Sequence, residues 1–247
     1  MNVYGTHSAF TSRGGFTLVE LLVVITVIAL LLSILLPVLT KARQYAQCIT
    51  CSNILRNISQ AHKLHLADTG TYLPHTSYAP YTPWFNNDHL RKTLALPELT
   101  NEQKERRTDE LQEWQPNIPR EFICPAASFA LKNSEKGLYP MERSYGVNID
   151  GDYYARKKGL VGKLKEDWVK RPSDKIFIAD ALDWWISYYF CHLYQKYGEN
   201  FIGIKTYGMT AYRHLNDKTN IVYWDGHCGR LKSKEVMNSP QLWDPLE

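Results

Sequence analysis

Two cysteines stand three positions apart, as Cys48-x-x-Cys51, a spacing typical of zinc ligands and of redox-active pairs. A zinc site usually needs a second such cluster, but the other cysteines, Cys124, Cys191 and Cys228, are isolated from one another. A redox pair would need a thioredoxin-like βαβ context, which the surrounding sequence lacks. The spacing alone therefore favours buried free thiols over a zinc or redox centre.

Oxygen-bearing side chains occupy alternate positions in Asn148-x-Asp150-Gly151-Asp152. Alternating oxygen ligands are the spacing of a calcium-binding loop. However, no glutamate follows at the EF-hand distance, and Asp-Gly-Asp alone is more often a turn. We expect a turn here, with Asn148, Asp150 and Asp152 as the one candidate metal site in the sequence, for calcium.

The short motifs that position a nucleophile, a zinc-bound water or a phosphate are absent from the sequence. It contains no Gly-x-Ser-x-Gly, no His-Glu-x-x-His and no phosphate-binding glycine loop. We therefore predict that the protein is not an enzyme and has no catalytic residues. A net charge of +4 over 247 residues is also too small to indicate nucleic acid as a partner.

The dominant element of the sequence is an apolar segment, residues 16–36, which reads FTLVELLVVITVIALLLSILL. As a helix it would span roughly 31 Å, which is the thickness of the hydrocarbon core of a bilayer. A buried strand is excluded by length, because such strands rarely exceed about eight residues. We predict a transmembrane helix over residues 16–39, and no other segment is long and apolar enough to cross a membrane.

Two ordinary interpretations of this segment are a cleaved signal peptide and a retained signal anchor. A cleaved signal peptide has an apolar run of about 7–15 residues followed by a small-x-small site. Here the run is longer, and Pro37-Val-Leu-Thr-Lys-Ala-Arg follows it without such a site. Both interpretations stay open beside a third, which depends on the residues that precede the run.

The octapeptide Arg13-Gly14-Gly15-Phe16-Thr17-Leu18-Val19-Glu20 resembles the signature of type IV prepilins. The resemblance implies that residues 1–15 are a leader peptide and that prepilin peptidase cuts between Gly15 and Phe16. It further implies that the same enzyme methylates the new terminal amine of Phe16.

Glu20 is the one acidic residue within the apolar segment. A carboxylate costs about 2.5–3.5 kcal/mol at the centre of a bilayer and less near its edge. Glu20 could therefore reach water at the interface. The resemblance implies another role, since the fifth residue of a mature pilin is a glutamate that pairs with the terminal amine of a neighbouring subunit and so directs assembly.

The charges that flank the segment do not indicate its orientation. Lys41 and Arg43 follow it, whereas only Arg13 and the terminal amine precede it, so the positive-inside rule does not favour a cytoplasmic N-terminus. The resemblance alone implies a single-pass protein of the inner membrane with a cytoplasmic N-terminus and an extracytoplasmic soluble domain.

A helical pattern continues beyond the predicted membrane segment. Ala42, Ala46 and Ile49 are spaced for one helix face, and Ile54, Ile58 and Ala61 repeat that spacing. Gly70 is placed to cap the C-terminus of this helix. We predict an extracytoplasmic spine helix over residues 40–70, followed by a soluble head domain over residues 71–247.

Further short elements resemble a large group of prepilin-type proteins. In chain order they are Cys51-x-Asn53-x-Leu55-Arg56, Gly70-x-Tyr72-x-Pro74, Phe122-x-Cys124-Pro125, Ser144-Tyr145-x-x-Asn148 and His214 with Asp225-Gly226. Ten residues separate His214 from Asp225, one more than is usual in that group. The resemblance picks out Cys51 and Cys124 as a disulfide pair, which an extracytoplasmic location permits.

The head domain shows strand signals but few helical ones. Residues 175–179 predict a strand, and residues 221–231 predict a hairpin whose Asp225-Gly226 forms a two-residue turn with positive φ. Residues 75–97 are expected to be loop, and Thr100 with Gln103 predicts a charged helix to about Trp114. The fold class is therefore α+β, with a long N-terminal helix packed on a small antiparallel sheet.

We predict a structural subunit of a type II secretion pseudopilus or a type IV pilus-like filament. Its partners would be prepilin peptidase, other pilin-like subunits and the inner membrane. No cofactor is expected, apart from the calcium candidate. Aromatic side chains are abundant between Trp184 and Trp224, and we expect most of them in the core because large rings dominate burial. The alternative function is a monomeric, membrane-anchored binding module in which a solvent-facing group of these side chains binds a glycan.

Overall fold

The first element is a continuous helix, α1, which runs from Leu18 to Thr69 and includes Pro37. The computed structural model describes residues 16–72, 83–100, 116–157, 164–201 and 208–247. The predicted leader, residues 1–15, and the predicted helix after Thr100 lie outside these ranges. The helix ends as predicted, because Gly70 has a φ of +70° and donates its N–H to the carbonyl oxygen of Leu66 at 2.7 Å.

The chain divides into two compact units, residues 1–43 and 44–247, so the boundary lies within α1. Within the second unit, burial along α1 begins at Cys48. The predicted apolar face of Ile54, Ile58 and Ala61 is buried, as expected. The prediction was wrong for Ala42, Ala46 and Ile49, whose side chains are exposed. The buried face of α1 begins at Cys48 and lies on a different side of the helix from these three residues.

Within the described ranges, seven strands form two sheets. A small sheet pairs β1 (Pro116–Pro119) with β2 (Leu138–Pro140) in antiparallel orientation. The main sheet has five strands in the order β5-β3-β4-β6-β7. Its strands are β3 (Tyr145–Asn148), β4 (Ile176–Asp180), β5 (Trp185–Ile186), β6 (Lys218–Tyr223) and β7 (Cys228–Lys232). All neighbours are antiparallel except β3 and β5, and the predicted α+β class is confirmed.

The central strand, β4, is buried at every position. Phe177 and Ile178 belong to the hydrophobic cluster that contains Leu55 and Ile58 of α1. Ile176 and Ala179 belong to a second cluster around Trp243. The run of apolar residues in β4 is thus explained by core on both of its faces, and the predicted strand is confirmed.

The predicted hairpin exists, but its turn differs from the prediction. Tyr223 accepts a hydrogen bond from the N–H of Gly226 at 2.8 Å and donates its own N–H to His227 at 3.0 Å, which leaves three residues in the loop. Gly226 has a φ of +95°, and Asp225 is not in the left-handed region. The reason is Trp224, which is fully buried against Phe177 and donates its backbone N–H to the carbonyl oxygen of Lys175, just before β4.

Short helices connect these strands. None of them was predicted. One, α2 (Asp88–Thr93), lies in a stretch expected to be loop, and the Asn87 side chain caps it by accepting the N–H of Leu90 at 3.1 Å. The others are α3 (Ser128–Lys132), α4 (Asp150–Lys157), α5 (Leu193–Tyr197) and α6 (Ser233–Met237). Single 3₁₀ turns lie at Trp84–Asn86, Arg120–Phe122, Met141–Arg143, Glu166–Trp168, Tyr188–Phe190 and Pro240–Leu242.

Candidate functional site

The start of α1 is closed by a reciprocal pair of hydrogen bonds between Thr17 and Glu20. The Glu20 carboxylate accepts the N–H and the hydroxyl of Thr17, each at 2.8 Å. The Thr17 hydroxyl oxygen in turn accepts the N–H of Glu20 at 3.2 Å. This arrangement is a capping box, which satisfies two backbone donors that a helix start otherwise leaves without partners.

Beyond the cap, α1 is suited to lipid. Among the described residues it is the one helix that is long and apolar enough to cross a membrane. The hydroxyls of Thr26, Ser33 and Thr40 donate to the carbonyl oxygens of Val23, Leu30 and Leu36 at 2.7–2.9 Å. These polar groups are therefore satisfied within the helix itself, as a hydrocarbon environment requires.

The N-terminal site residues predicted from the sequence are partly visible. Phe16 is 73% exposed at the beginning of the described chain, and Glu20 is exposed in the first turn of α1. Gly15, the other side of the predicted cleavage point, lies outside the described residues. The described side chains of the first unit, residues 16–43, are exposed in the single chain, and those of residues 16–36 are mostly apolar.

A second group of chemically active side chains meets in the core of the head domain. It consists of Cys51 from α1, Cys124, Asp180 at the end of β4, and His214, and we call it the Cys-Asp-His cluster. One potential ligand atom from each of the four lies within 4.8 Å of the others. Cys51, Cys124 and Asp180 are fully buried, and His214 is 6% exposed.

Asp180 is the centre of this cluster. Its Oδ1 accepts from the Cys51 thiol at 3.0 Å, and its Oδ2 lies 3.2 Å from Nε2 of His214. The same His214 nitrogen is 3.7 Å from the Cys124 sulfur. The backbone N–H of Asn220 also donates to Oδ2 of Asp180, at 2.7 Å.

The ionisation of the cluster follows from these contacts. Burial raises the pKa of Asp180, but the charge and hydrogen bond of His214 outweigh burial and leave that pKa below its usual range. Burial likewise opposes the charged form of His214, yet Asp180 raises its pKa to about 12. Burial and the neighbouring Cys124 raise the pKa of Cys51. Asp180 and His214 therefore form a buried ion pair beside a protonated Cys51.

The five cysteines are all free thiols. Cys51 and Cys124, the pair implied by the family resemblance, are neighbours in the Cys-Asp-His cluster, and their disulfide stays a prediction. Cys48 lies beside this cluster without being one of the four: its thiol donates to Oδ1 of Asn220 at 3.2 Å, and it also interacts with His214. Cys48 and Cys51 thus bond to different oxygens, those of Asn220 and Asp180.

Asn148 and Asp150, two members of the calcium candidate, are engaged within the protein. The amide of Asn148 donates to the carbonyl oxygens of Ile176 and Trp243 at 2.8 and 2.9 Å, and its oxygen accepts the N–H of Asp150. The Asp150 carboxylate accepts from the Ser187 hydroxyl at 2.6 Å and from a backbone N–H at 2.7 Å. The Asp152 side chain lies outside the described residues. The hydrogen bonds explain Asn148 and Asp150 without an ion, and the calcium site stays a prediction.

His214, Asp225 and Gly226, the residues of the C-terminal element, serve different parts of the fold. Asp225 accepts the backbone N–H of His227 at 3.0 Å and lies 2.7 Å from its ring nitrogen Nδ1. Gly226 provides the positive φ that ends the turn. Asp225 and Gly226 thus shape the β6–β7 hairpin, as expected from the sequence, whereas His214 belongs to the Cys-Asp-His cluster.

The aromatic residues between Trp184 and Trp224 were expected to be mostly core. Trp224 and Tyr212 are buried, but most of the others are only half-buried, and Tyr189 is 56% exposed. They contact one another, as Trp185 and Phe190 do with ring centroids 5.8 Å apart. Half-buried Tyr188, Tyr194 and Tyr223 pack against the cluster around Trp243, so the expectation holds for these rings at the margin of the core and fails for the exposed Tyr189.

Comparison with known proteins agrees with the N-terminal geometry. Residues 11–36 match the family model described as the prokaryotic N-terminal methylation motif. Searches of curated proteins and of solved structures returned no significant match. The match supports the resemblance of the N-terminal segment to type IV prepilins, and such a motif implies processing by prepilin peptidase and assembly with other pilin subunits in general. It does not extend to the C-terminal His…Asp-Gly element.

Two functional residues were missed at the level of sequence. Thr17 was named only as part of the prepilin-like octapeptide, although Thr-x-x-Glu is a recognisable capping signal. Asp180 carries no local signal, because it ends an apolar strand and its partner Cys51 is 129 positions away. Only the fold could bring those two side chains together.

Proposed function

We propose that this protein is a subunit of a type II secretion pseudopilus or of a related pilus-like filament. In this proposal prepilin peptidase cuts after Gly15, Phe16 is methylated, and α1 anchors the chain in the inner membrane with its head domain outside the cytoplasm. The match of residues 11–36 to the methylation motif supports this proposal. We further propose a structural rather than a catalytic role.

The proposal depends on two features of α1 together: the side chains of its apolar segment are exposed, and the one acidic residue of that segment, Glu20, takes part in the capping box at the helix start. Both hydrogen bonds from Thr17 end on the same oxygen, Oε2 of Glu20. A carboxylate accepts about four hydrogen bonds over its two oxygens, so Glu20 can hold its own cap and also accept from another chain. The methylated amine of a neighbouring Phe16 supplies the positive charge.

Such a pair favours assembly in register. Within a membrane, a charge without a partner is unfavourable, and a carboxylate with an ammonium group nearby is much less so. The pairing requires a second copy or a related subunit at the correct axial position. Contacts between the apolar side chains of residues 16–46 in neighbouring subunits then bury additional surface, while the charge pair selects the axial register of the two helices.

The test compares two substitutions of Glu20 in the native host. Glu20→Gln keeps an acceptor at the third helical position and can maintain the capping box, but it removes the charge. Glu20→Ala removes both. We expect processed, membrane-inserted protein in each case, with filament assembly or secretion strongly reduced in both variants to a similar extent.

Two results would count against this function. Normal assembly by the Glu20→Gln protein would show that the charge is not needed. If both variants assembled or secreted normally, and chemical crosslinking of the membrane protein yielded only monomer, the membrane-anchored binding module with its half-exposed aromatic surface would be favoured. Mass spectrometry of the N-terminus checks maturation separately, since any end other than methylated Phe16 contradicts it.

A further inference from the structure

The Cys-Asp-His cluster has the composition of a metal site. Two sulfurs, one imidazole nitrogen and one carboxylate oxygen lie within 4.8 Å of one another, in a buried part of the head domain. The four residues come from α1, the segment after β1, the end of β4 and the segment before β6. Since no two of them are close in sequence, local chain geometry does not account for their convergence.

We propose that Cys51, Cys124, Asp180 and His214 bind one structural zinc ion. Two cysteines, a histidine and a carboxylate are ligand types that zinc uses, and four protein ligands without an open position are typical of structural sites. The site would fasten α1 to the end of the central strand, β4. It is independent of the proposed role in filament assembly.

The distances within the cluster are close to those of a zinc tetrahedron. Bonds of about 2.3 Å to sulfur and 2.0–2.2 Å to nitrogen or oxygen place neighbouring ligand atoms roughly 3.3–3.8 Å apart. The observed separations are 3.0 Å from the Cys51 sulfur to Oδ1 of Asp180, 3.2 Å from Nε2 of His214 to Oδ2 of Asp180, and 3.7 Å from the Cys124 sulfur to Nε2 of His214. The first two distances end on different oxygens of the same carboxylate, either of which could be the ligand. All separations in the cluster are within 4.8 Å, so none exceeds a tetrahedral edge by more than about 1 Å.

The protons at the centre of the cluster are those that zinc would replace. The thiol of Cys51 and Nε2 of His214 both point towards Asp180, and zinc binds thiolate and neutral imidazole. Outer groups are also in place, because the Tyr145 hydroxyl donates to the Cys51 sulfur at 3.3 Å and the N–H of Asn220 donates to Asp180. Donors of this kind orient the ligands and stabilise their negative charge.

The test uses the full-length chain, purified in detergent without chelators. Elemental analysis is expected to find about one zinc per chain. After removal of the metal, added Co²⁺ should give thiolate charge-transfer bands in the near ultraviolet and the visible bands of a tetrahedral site. The variants Cys124→Ser and His214→Ala should lose most of the metal, whereas the control Cys228→Ser, outside the cluster, should retain it.

Three outcomes would overturn the zinc site. One is a metal-free protein with five free thiols, in which the ion pair of Asp180 and His214 and its hydrogen bonds would hold the cluster together without a metal. Another is a metal-free protein with three free thiols and a Cys51–Cys124 crosslink, because a disulfide removes both sulfur ligands. The third is full metal content in both cluster variants. Should those variants fail to fold, the cobalt spectrum of the unsubstituted chain decides, since absence of thiolate bands also overturns the site.

Discussion

Thr17 and Glu20 satisfy each other's backbone N–H groups at the first turn of α1, and three hydrogen bonds of 2.8, 2.8 and 3.2 Å join the two residues. Glu20 therefore has a role within its own chain in addition to the proposed contact with a neighbour. The cap orders the residues that directly follow the predicted cleavage point. A helix that begins at Leu18 thus presents Phe16 and Glu20 in a defined geometry.

Removing the Thr17 hydroxyl should loosen this helix start. In Thr17→Val the N–H of Glu20 loses its acceptor, at a cost of about 1 kcal/mol, which corresponds to roughly fivefold faster exchange of that amide. Hydrogen exchange on the full-length chain in detergent measures this. Thr26→Val is the control, because the Thr26 hydroxyl bonds to Val23 and should not affect the cap. Unchanged exchange at Glu20 in Thr17→Val would contradict the capping role.

Cys228 should react with alkylating reagents well before Cys191. Burial, and secondarily the charge of Asp150, raise the pKa of Cys191 to about 12. At neutral pH its thiolate fraction is then about a thousandfold below that of a thiol with a pKa near 9. Cys228 is half-buried and more accessible. Timed iodoacetamide labelling of the native protein with peptide mass spectrometry gives the order, and equal rates at the two residues would refute this prediction.

Substitution of Gly226 should destabilise the hairpin through backbone strain alone. Its φ is +95°, and a Cβ there would approach nothing closer than 3.7 Å. Gly226→Ala should therefore lower the free energy of unfolding by about 1–2 kcal/mol, as measured by denaturant titration. Gly226→Asn should cost less, because asparagine adopts positive φ more readily. An equal or larger loss with asparagine would indicate a steric cause instead.

Asn148 is expected to join two segments of the head domain through hydrogen bonds rather than to act as a calcium ligand. Asn148→Ala leaves two buried carbonyl oxygens without a donor and should cost on the order of 2–4 kcal/mol, seen as a lower melting temperature. Millimolar Ca²⁺ should leave the melting temperature of the unsubstituted protein unchanged. A clear rise with Ca²⁺ that Asp150→Asn abolishes would restore the calcium interpretation.

The sequence was most informative where the determining interactions are local. The apolar run of residues 16–36, the Thr17–Glu20 cap and the Gly70 stop all act within a few positions along the chain, and together they specify α1. The β6–β7 hairpin was likewise recognisable from neighbouring residues. Its turn was not, because the burial of Trp224 depends on Phe177 and Tyr72, which come from other elements.

By itself, then, the sequence determined the membrane-compatible helix, its processing motif and the α+β class, since periodicity and short motifs encode these directly. The tertiary structure decided which of the five cysteines become neighbours and placed Asp180 and His214 beside Cys51 and Cys124. It also assigned Asn148 to the packing of β4 against the C-terminal segment. Such contacts join positions far apart in the chain, and only packing of the helix on the sheet fixes which of them meet.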